Sequence, residues 1–529
     1  MPSFKPTSFT AKLREVSEAA CERFGISPVG DARLDEAVAN ALDPRKLIDN
    51  LAEAWRTTPD QARSILAEHG LGGVLARLVP DAGATGGAES AGPPLSKDEQ
   101  LLLSSGIGMR SWNPTFGEPV TAAQPILDSV GVGLEAFQSN AVADPLAVLY
   151  RDRPMEYAES FLANDAPKMD AYIRARFGET GLRYVVNSGI GANEQFNYFV
   201  SALANARSDP QVTWMLANSP KEVAGLPADA TVENTLFMEF SRSGLAEETV
   251  KLHELTPRSA TRIVFANAGP LRELGERDEN LVLELPGEVS GRYGRNKTPI
   301  LMAPMHVVGL DVRAYWKTIA DACTAWDLAE SSPPVILARY IRTQQLRREA
   351  NHIYFGTNDP LLRSSADEFC QFWNEGVNRD GNDIAMSRYL GLPRDSHMNL
   401  EAVLGTSERK LAVFLLYTGE PDGHPLLGDI DPIRKEHRGL TPGETDLILA
   451  MANVKRCSEK MPTILVTVDH VDLTASAVLG QLWADTTLVY SRMIGVDPGS
   501  NPEVKAVRTR ATEWLANKEM ALRMTATSS

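Results

Sequence analysis

Apolar runs alternate with amphipathic stretches between about residues 145 and 310 of the chain. Each run is short and nearly continuous in apolar residues, which is typical of strands buried on both faces of a parallel sheet. The predicted strands are Arg183–Asn187, Val212–Leu216, Thr235–Phe240, Thr261–Phe265 and Asn280–Leu285. Because helical patterns such as Phe196–Ala206 and Ala246–His253 lie between these runs, the sequence predicts a doubly wound parallel sheet.

A second alternation follows in the C-terminal part of the chain, where Leu411–Tyr417 and Thr463–Val468 resemble strands with helical stretches around them. The predicted fold class is therefore α/β, with two doubly wound parallel-sheet lobes and a cleft between them. We expect the first lobe to comprise residues 99–330 and the second to comprise residues 331–529 with C-terminal helices.

The beginning of the chain shows helical periodicity without the strand-like runs of the later parts. Apolar residues such as Leu13, Val16 and Ala20 recur at helical spacing, which predicts a helical N-terminal extension over residues 1–80. The following stretch is rich in Gly, Ala and Pro, so residues 81–98 are predicted to be a flexible linker.

Composition narrows the class of function. The chain has 529 residues, 43 % apolar content and a net charge of −16, so nucleic acid and membrane are not expected as partners. The N-terminus lacks the apolar core of a signal peptide, which favours a cytoplasmic location. The four cysteines are widely separated and form no ligand cluster, so no metal is expected.

Two loops between predicted strands and helices carry candidate chemistry. Their small and polar residues are Gly189, Gly191 and Asn193 in the first loop and Ser241, Arg242 and Ser243 in the second. Turns of this kind bring backbone N–H groups and a helix N-terminus close to an anion. Since both loops follow strands of one predicted sheet, we expect them to face a single pocket.

Six motifs in sequence order extend this pattern over roughly residues 145–515. They are Gly189-Ile190-Gly191, Ser241-Arg242-Ser243-Gly244, Gly291-Arg292-Tyr293, Gln371-Phe372-Trp373-Asn374-Glu375, Asp395-Ser396-His397 and the stretch 497–508. Taken together, they resemble the phosphoglucose isomerase family, whose members have two lobes of the sugar-isomerase (SIS) type.

The resemblance implies an aldose–ketose isomerase that moves a proton between C1 and C2 of a sugar through a cis-enediol intermediate. In that reading Glu375 is the base, Arg292 stabilises the enediolate and His397 opens the sugar ring, with His424 as the alternative histidine. This chemistry requires neither a metal nor a redox cofactor. The resemblance also implies a homodimer in which the histidine reaches the neighbouring subunit's site.

The resemblance further implies which residues hold a sugar phosphate or another acidic sugar. The candidate substrate-binding residues are Gly189, Gly191, Asn193, Ser241, Arg242, Ser243, Gly291 and Gln371.

The chain departs from the family pattern at several of these positions. Arg508 stands where the family has a lysine, with Lys505 one helical turn earlier, and Leu245 and Ala246 replace two threonines of the second loop. Arginine is a poor proton donor, although it can bind an oxygen and hold a charge. Two alternatives therefore stay open: a non-catalytic sugar-phosphate-binding regulatory protein, and an isomerase of a different sugar.

Overall fold

A computed structural model describes residues 107–112, 151, 153–179, 181–189, 191–207, 211–286, 295–326, 328, 332–378, 384–392, 400–405, 409–419, 440–496, 498 and 502–517. All of them belong to one compact unit, Leu95–Ser529. The predicted helical extension (residues 1–80) and linker (residues 81–98) lie outside the described residues.

Strands of the described residues form two sheets. They are β1 (Ile107–Trp112), β2 (Tyr184–Ser188), β3 (Thr213–Leu216), β4 (Thr235–Phe240), β5 (Thr261–Phe265), β6 (Leu281–Leu283), β7 (His352–Thr357), β8 (Ala385–Gly391), β9 (Lys410–Tyr417) and β10 (Thr463–Val468).

Helices connect and cover these strands. They are α1 (Pro154–Asn164), α2 (Ala166–Phe177), α3 (Ala192–Asn205), α4 (Pro220–Ala224), α5 (Glu247–Leu255), α6 (Gly269–Arg277), α7 (Pro299–Val307), α8 (Val312–Ala325), α9 (Pro333–Arg348), α10 (Pro360–Gly376), α11 (Leu400–Gly405), α12 (Pro442–Ser458), α13 (Leu473–Ile494) and α14 (Pro502–Ala516). None of the described helices is both long enough and apolar enough to cross a bilayer.

The first sheet has the strand order β3-β2-β4-β5-β6, and its strands are all parallel. The chain runs outward from β2 to β3 and then returns to the other side of β2 to form β4. This reversal places a topological switch point between β2 and β4, where doubly wound sheets bind their ligands.

The second sheet has the order β1-β10-β9-β7-β8 and its own switch point between β7 and β9. Strands β7 to β10 are parallel, whereas β1 runs antiparallel to β10, with Ile107 opposite Val468. The predicted class of two doubly wound α/β lobes is thus confirmed. The prediction that residues 99–330 belong to the first lobe is wrong for β1, which completes the edge of the other sheet.

Two helices explain how the second sheet is covered. In α10, Pro360 follows the cap residue Asp359, whose carboxylate accepts hydrogen bonds from the backbone N–H groups of Leu361 and Leu362 (2.8 and 3.0 Å). A carboxylate at this position satisfies N–H groups that have no partner inside the helix. The long helix α13 is buried along nearly its whole length and packs against α8, α9 and α10.

Aromatic side chains join the helices of the two sheets. Trp316, Trp326 and Trp373 are fully buried, as expected for large aromatic residues of a core. The rings of Phe196 on α3 and Phe372 on α10 stack with centroids 5.6 Å apart. This contact packs the helix that follows β2 in one sheet against the helix that follows β7 in the other.

A charged network is buried between β4, β5 and α5 of the first sheet. The Glu239 carboxylate contacts His253 Nδ1 at 2.6 Å and Arg262 Nε at 3.4 Å, and His253 Nε2 lies 3.3 Å from Asp278. The Arg262 guanidinium also donates to the carbonyl oxygens of Ala260 and Thr256. The Glu239 and Arg262 charges are out of water, so each needs its partner to offset the free-energy cost of burial.

We therefore expect Arg262→Met to lower the free energy of unfolding by about 3–5 kcal/mol, since it leaves the Glu239 carboxylate buried without its guanidinium. The matched control is Arg313→Met, which breaks an exposed ion pair with Glu159 and costs at most about 1 kcal/mol. Urea unfolding followed by circular dichroism measures both. Equal stabilities of the two variants would contradict a structural role for the buried network.

Candidate active site

The switch point of the first sheet brings the two loops together. Strands β2 and β4 are hydrogen-bonded neighbours, and Ser188 at the end of β2 lies opposite Glu239 near the end of β4. The loops that begin at Gly189 and Ser241 therefore leave the same edge of the sheet side by side. This is the edge at which parallel sheets expose loop N–H groups and helix N-termini.

The first loop is a tight glycine turn. The buried Gly189 N–H donates to Asn218 Oδ1 at 2.7 Å, which fixes the start of the turn. Gly191 has a φ of 70°, and its carbonyl oxygen accepts the N–H groups of Glu194 and Gln195 to begin α3. A left-handed φ favours glycine here. The predicted Asn193 lies in the first turn of α3.

The second loop is held by its own hydroxyl groups. Ser241 Oγ accepts the Ala246 N–H at 3.2 Å, and Ser243 Oγ accepts the Leu245 N–H at 3.4 Å. Each hydroxyl still has its own hydrogen to donate, because a hydroxyl carries one donor and two acceptor sites. Arg242 and Ser243 are exposed to solvent.

Gly244 allows the second loop to lie close to the loop that precedes α6. Its φ is 68°, and a Cβ atom on it would lie 1.8 Å from the carbonyl oxygen of Ala268. The Gly244 carbonyl oxygen in turn accepts the Leu271 N–H at 3.2 Å. A larger residue would push the loop away from the start of α6.

Helix α10 carries the predicted base to the first loop. Gln371 Nε2 donates to Glu375 Oε1 at 3.1 Å, one helical turn away, and Glu375 is half-buried. The same Nε2 lies 3.3 Å from the position that a Cβ atom on Gly191 would take. The structure thus brings Gln371, and through it Glu375, to Gly191, which is far from both of them in the sequence.

Unpartnered polar atoms lie at the end of β2. Asn187 and Ser188 are buried, yet the Asn187 amide and the Ser188 hydroxyl have no hydrogen-bond partner among the described residues. The same holds for Gln371 Oε1. Buried polar groups are nearly always hydrogen-bonded, so these atoms are suited to a bound water or ligand. The sequence analysis did not select Asn187 and Ser188. The signal that could have indicated them is the pair of polar residues at the end of an apolar strand.

The C-terminal helix α14 contacts the start of α5, the helix that follows the second loop. Thr512 Oγ1 lies 3.5 Å from Oε1 of Glu247, the first residue of α5. Arg508 is one turn before Thr512 on this helix, and Lys505 is about two turns before it. The helix predicted to carry a cationic group therefore runs past the start of α5.

Three predicted catalytic or binding residues lie outside the described residues, namely Gly291, Arg292 and His397, as does the alternative His424. Their roles stay predictions. Within the described part of the chain, no group of three or more His, Cys, Asp or Glu side chains could hold a metal ion.

A second buried ion pair, which the sequence did not indicate, lies beside this region. Arg295 Nη1 contacts Glu368 Oε1 at 2.5 Å, and its Nη2 contacts the Tyr315 hydroxyl and the Ser476 carbonyl oxygen. Burial raises the pKa of Glu368 to about 7, although the Arg295 guanidinium opposes the rise. Glu368 is on α10, one turn before Gln371.

Comparisons with known proteins agree with this architecture. No protein-family model matches the chain. It is 26 % identical over 299 residues to a probable glucose-6-phosphate isomerase of Halobacterium salinarum, which covers 53 % of the chain and 67 % of that protein. It is 21 % identical over 411 residues to a glucose-6-phosphate isomerase of Rubrobacter xylanophilus, covering 72 % of the chain and 91 % of that protein.

Solved structures share the fold. A hypothetical protein of Thermus thermophilus aligns with a TM-score of 0.57 at 19 % identity, covering 74 % of this chain and 95 % of its own. A glucose-6-phosphate isomerase of Chlamydia trachomatis aligns with a TM-score of 0.55 at 12 % identity, covering 82 % and 87 %. The resemblance indicated by the sequence motifs is thus confirmed: the chain is similar to glucose-6-phosphate isomerases in sequence and in fold.

Proposed function

We propose that the protein is an aldose–ketose isomerase that interconverts glucose 6-phosphate and fructose 6-phosphate, or a close acidic sugar analogue. Glu375 takes the proton from C2 of the sugar and returns it to C1 through a cis-enediol. Arg292 stabilises the enediolate, and His397 opens the ring in a homodimer where it serves the neighbouring site. Arg508 binds a ring oxygen in place of the family's lysine.

The observation that carries the proposal is the link from the Gly191 turn through the Gln371 amide to the Glu375 carboxylate. A general base must reach the carbon acid of a substrate held at the adjoining turn. The hydrogen bond from Gln371 Nε2 orients the Glu375 carboxylate. Binding alone does not need a carboxylate linked in this way to the glycine turn.

The second loop supports recognition of an acidic group. Arg242 and Ser243 are exposed at the switch point, and the hydroxyls of Ser241 and Ser243 can each donate a hydrogen bond. A guanidinium binds a phosphate or carboxylate through two parallel hydrogen bonds.

A regulatory protein that binds sugar phosphate without turnover is the second candidate. Leu245 and Ala246 remove two hydroxyls that the resemblance expects in the second loop, and Leu245 is 61 % exposed. Weaker transition-state binding would be harmless to a regulator but not to an enzyme.

A coupled assay from fructose 6-phosphate to glucose 6-phosphate tests the reaction. We expect turnover by the wild-type protein and a loss of about a thousandfold in kcat for Glu375→Gln, the size of effect typical of a missing general base. Glu273→Gln on the exposed face of α6 is the matched control and keeps wild-type kcat.

A thermal-shift measurement with the same ligand completes this test, because a ligand that binds the native state raises the unfolding midpoint. A shift without turnover, unchanged by Glu375→Gln, would rule out the isomerase and support the regulator. A Glu375→Gln variant with wild-type kcat would assign the base to another residue.

The Arg242→Gln variant tests whether the second loop binds the acidic group of the substrate. Since a hydrogen bond to a charged group contributes about 1.5–3 kcal/mol, we expect KM for the sugar phosphate to rise by at least about tenfold with little change in kcat. The exposed Arg174→Gln on α2 serves as the control. Equal KM values for phosphorylated and neutral sugars, in both variants and wild type, would remove the anion-binding role of this loop.

A further inference from the structure

The buried charged network joins the two elements between which the second loop runs. Glu239 lies on β4, two residues before Ser241, and His253 lies in the last turn of α5. His253 Nδ1 contacts the Glu239 carboxylate at 2.6 Å across 14 residues of chain, and both side chains are almost completely buried. The strand before the second loop and the helix after it are therefore held together by one direct contact.

His253 also joins α5 to α6. Its Nε2 lies 3.3 Å from Asp278, the residue that follows α6. The Arg277 guanidinium holds the pKa of the Asp278 carboxyl well below its usual range, so this carboxylate is ionised and accepts a hydrogen bond from Nε2. At the other end of α6, the Leu271 N–H donates to the Gly244 carbonyl oxygen of the second loop. The loop thus contacts the first turn of α6, and His253 connects the two helices at their last turns.

Arg262 of β5 fixes the C-terminal end of α5. Its Nη2 donates to the carbonyl oxygens of His253, Thr256 and Pro257 at 3.4, 3.2 and 2.8 Å. Carbonyl groups in the last turn of a helix have no donor within the helix, and a cation at this end interacts favourably with the helix dipole. The guanidinium therefore holds α5 by its C-terminus, while the helix begins at its opposite end directly after the second loop.

Packing alone does not require these charges. Burial of ionised groups is costly, and apolar side chains of similar volume often stabilise a fold as well as a buried ion pair does. Hydrogen bonds differ from apolar contacts because they weaken steeply when their angles change. The contacts of His253 and Arg262 therefore restrict the position of α5 more narrowly than an apolar core would.

We propose that His253 and Arg262 are positioning residues: through Glu239 and the last carbonyl groups of α5 they set the position in which the second loop meets the acidic group of the substrate. The inference rests on the proposed function, which assigns that group to this loop. His253 and Arg262 are buried and act only through the loop. A misplacement of about 1 Å is enough to impair groups that must converge on one ligand.

The His253→Leu variant tests the proposal without leaving a buried charge unpaired, because Glu239 keeps Arg262 and Asp278 keeps Arg277. We expect the dissociation constant of fructose 6-phosphate and its KM to rise about tenfold, since hydrogen bonds to the anion lose their alignment. The loss concerns binding in the ground state and the transition state alike, so kcat should stay within about twofold of the wild-type value. The affinity for unphosphorylated fructose should not change.

Two further variants separate positioning from a general effect of the substitution. His306→Leu is the matched control, because it removes a histidine–aspartate contact of 2.8 Å with Asp170 near the surface, and it should keep wild-type binding. His253→Gln retains a side-chain donor for one carboxylate and should recover part of the lost affinity. Equal losses in His253→Leu and His253→Gln would assign the effect to side-chain volume and overturn the proposal.

Amide hydrogen exchange provides a readout that needs no substrate. Within the second loop, the Gly244 N–H donates to the Ser241 carbonyl oxygen at 2.8 Å and the Ala246 N–H donates to Ser241 Oγ at 3.2 Å. We expect both amides to exchange at least about tenfold faster in His253→Leu, with no change in β7 and β9 of the other sheet, because only the local opening becomes easier.

The possible outcomes distinguish the proposal from the function on which it rests. Unchanged exchange at Gly244 and Ala246 overturns the proposal even if no sugar is turned over. Equal acceleration in both sheets also overturns it, because the substitution would then act through global stability. If the loop amides exchange faster in the variant but the wild type binds no sugar phosphate, the positioning of the loop stands and only the proposed function is rejected.

Discussion

The contact between Gln371 and Gly191 is the interaction on which the rest of the site depends. It joins the helix after the first parallel strand of one sheet to the glycine turn of the other, and it is close because Gly191 has no side chain. Gln371 Nε2 also donates to the Glu375 carboxylate, so one amide lies between the glycine turn and the proposed base. A side chain at residue 191 would meet both a left-handed φ and a crowded neighbour.

Strands buried on both faces were the most predictable part of the fold. Thr235–Phe240, Thr261–Phe265 and Thr463–Val468 have the predicted bounds, and β2 is shifted by a single residue from its predicted position. Continuous apolar runs bounded by turn residues specify such strands locally. The two glycine turns were predictable for the same reason, since each follows one of these runs and precedes a helical pattern.

Long-range pairings could not be predicted in this way. The partner of β1 lies more than three hundred residues further along the chain, and nothing in Ile107–Trp112 specifies it. Arg295 and Glu368 form an ion pair across 73 residues, and Gly480 accommodates it from a third segment. Side chains that meet only after packing leave no local pattern in the sequence. The motif order nevertheless indicated Gln371 and Glu375, which the fold brings to Gly191, while Arg292 and His397 stay predictions.

The proposed reaction requires that one small cavity hold the reacting carbons beside Glu375 and the acidic group beside the second loop. A crystal structure of the protein with bound fructose 6-phosphate measures this directly. We expect the sugar C1 and C2 atoms within about 3.5 Å of the Glu375 carboxylate, and the phosphate within hydrogen-bond distance of Arg242 and Ser243. A sugar bound away from Glu375, or a phosphate held by other elements, would contradict it.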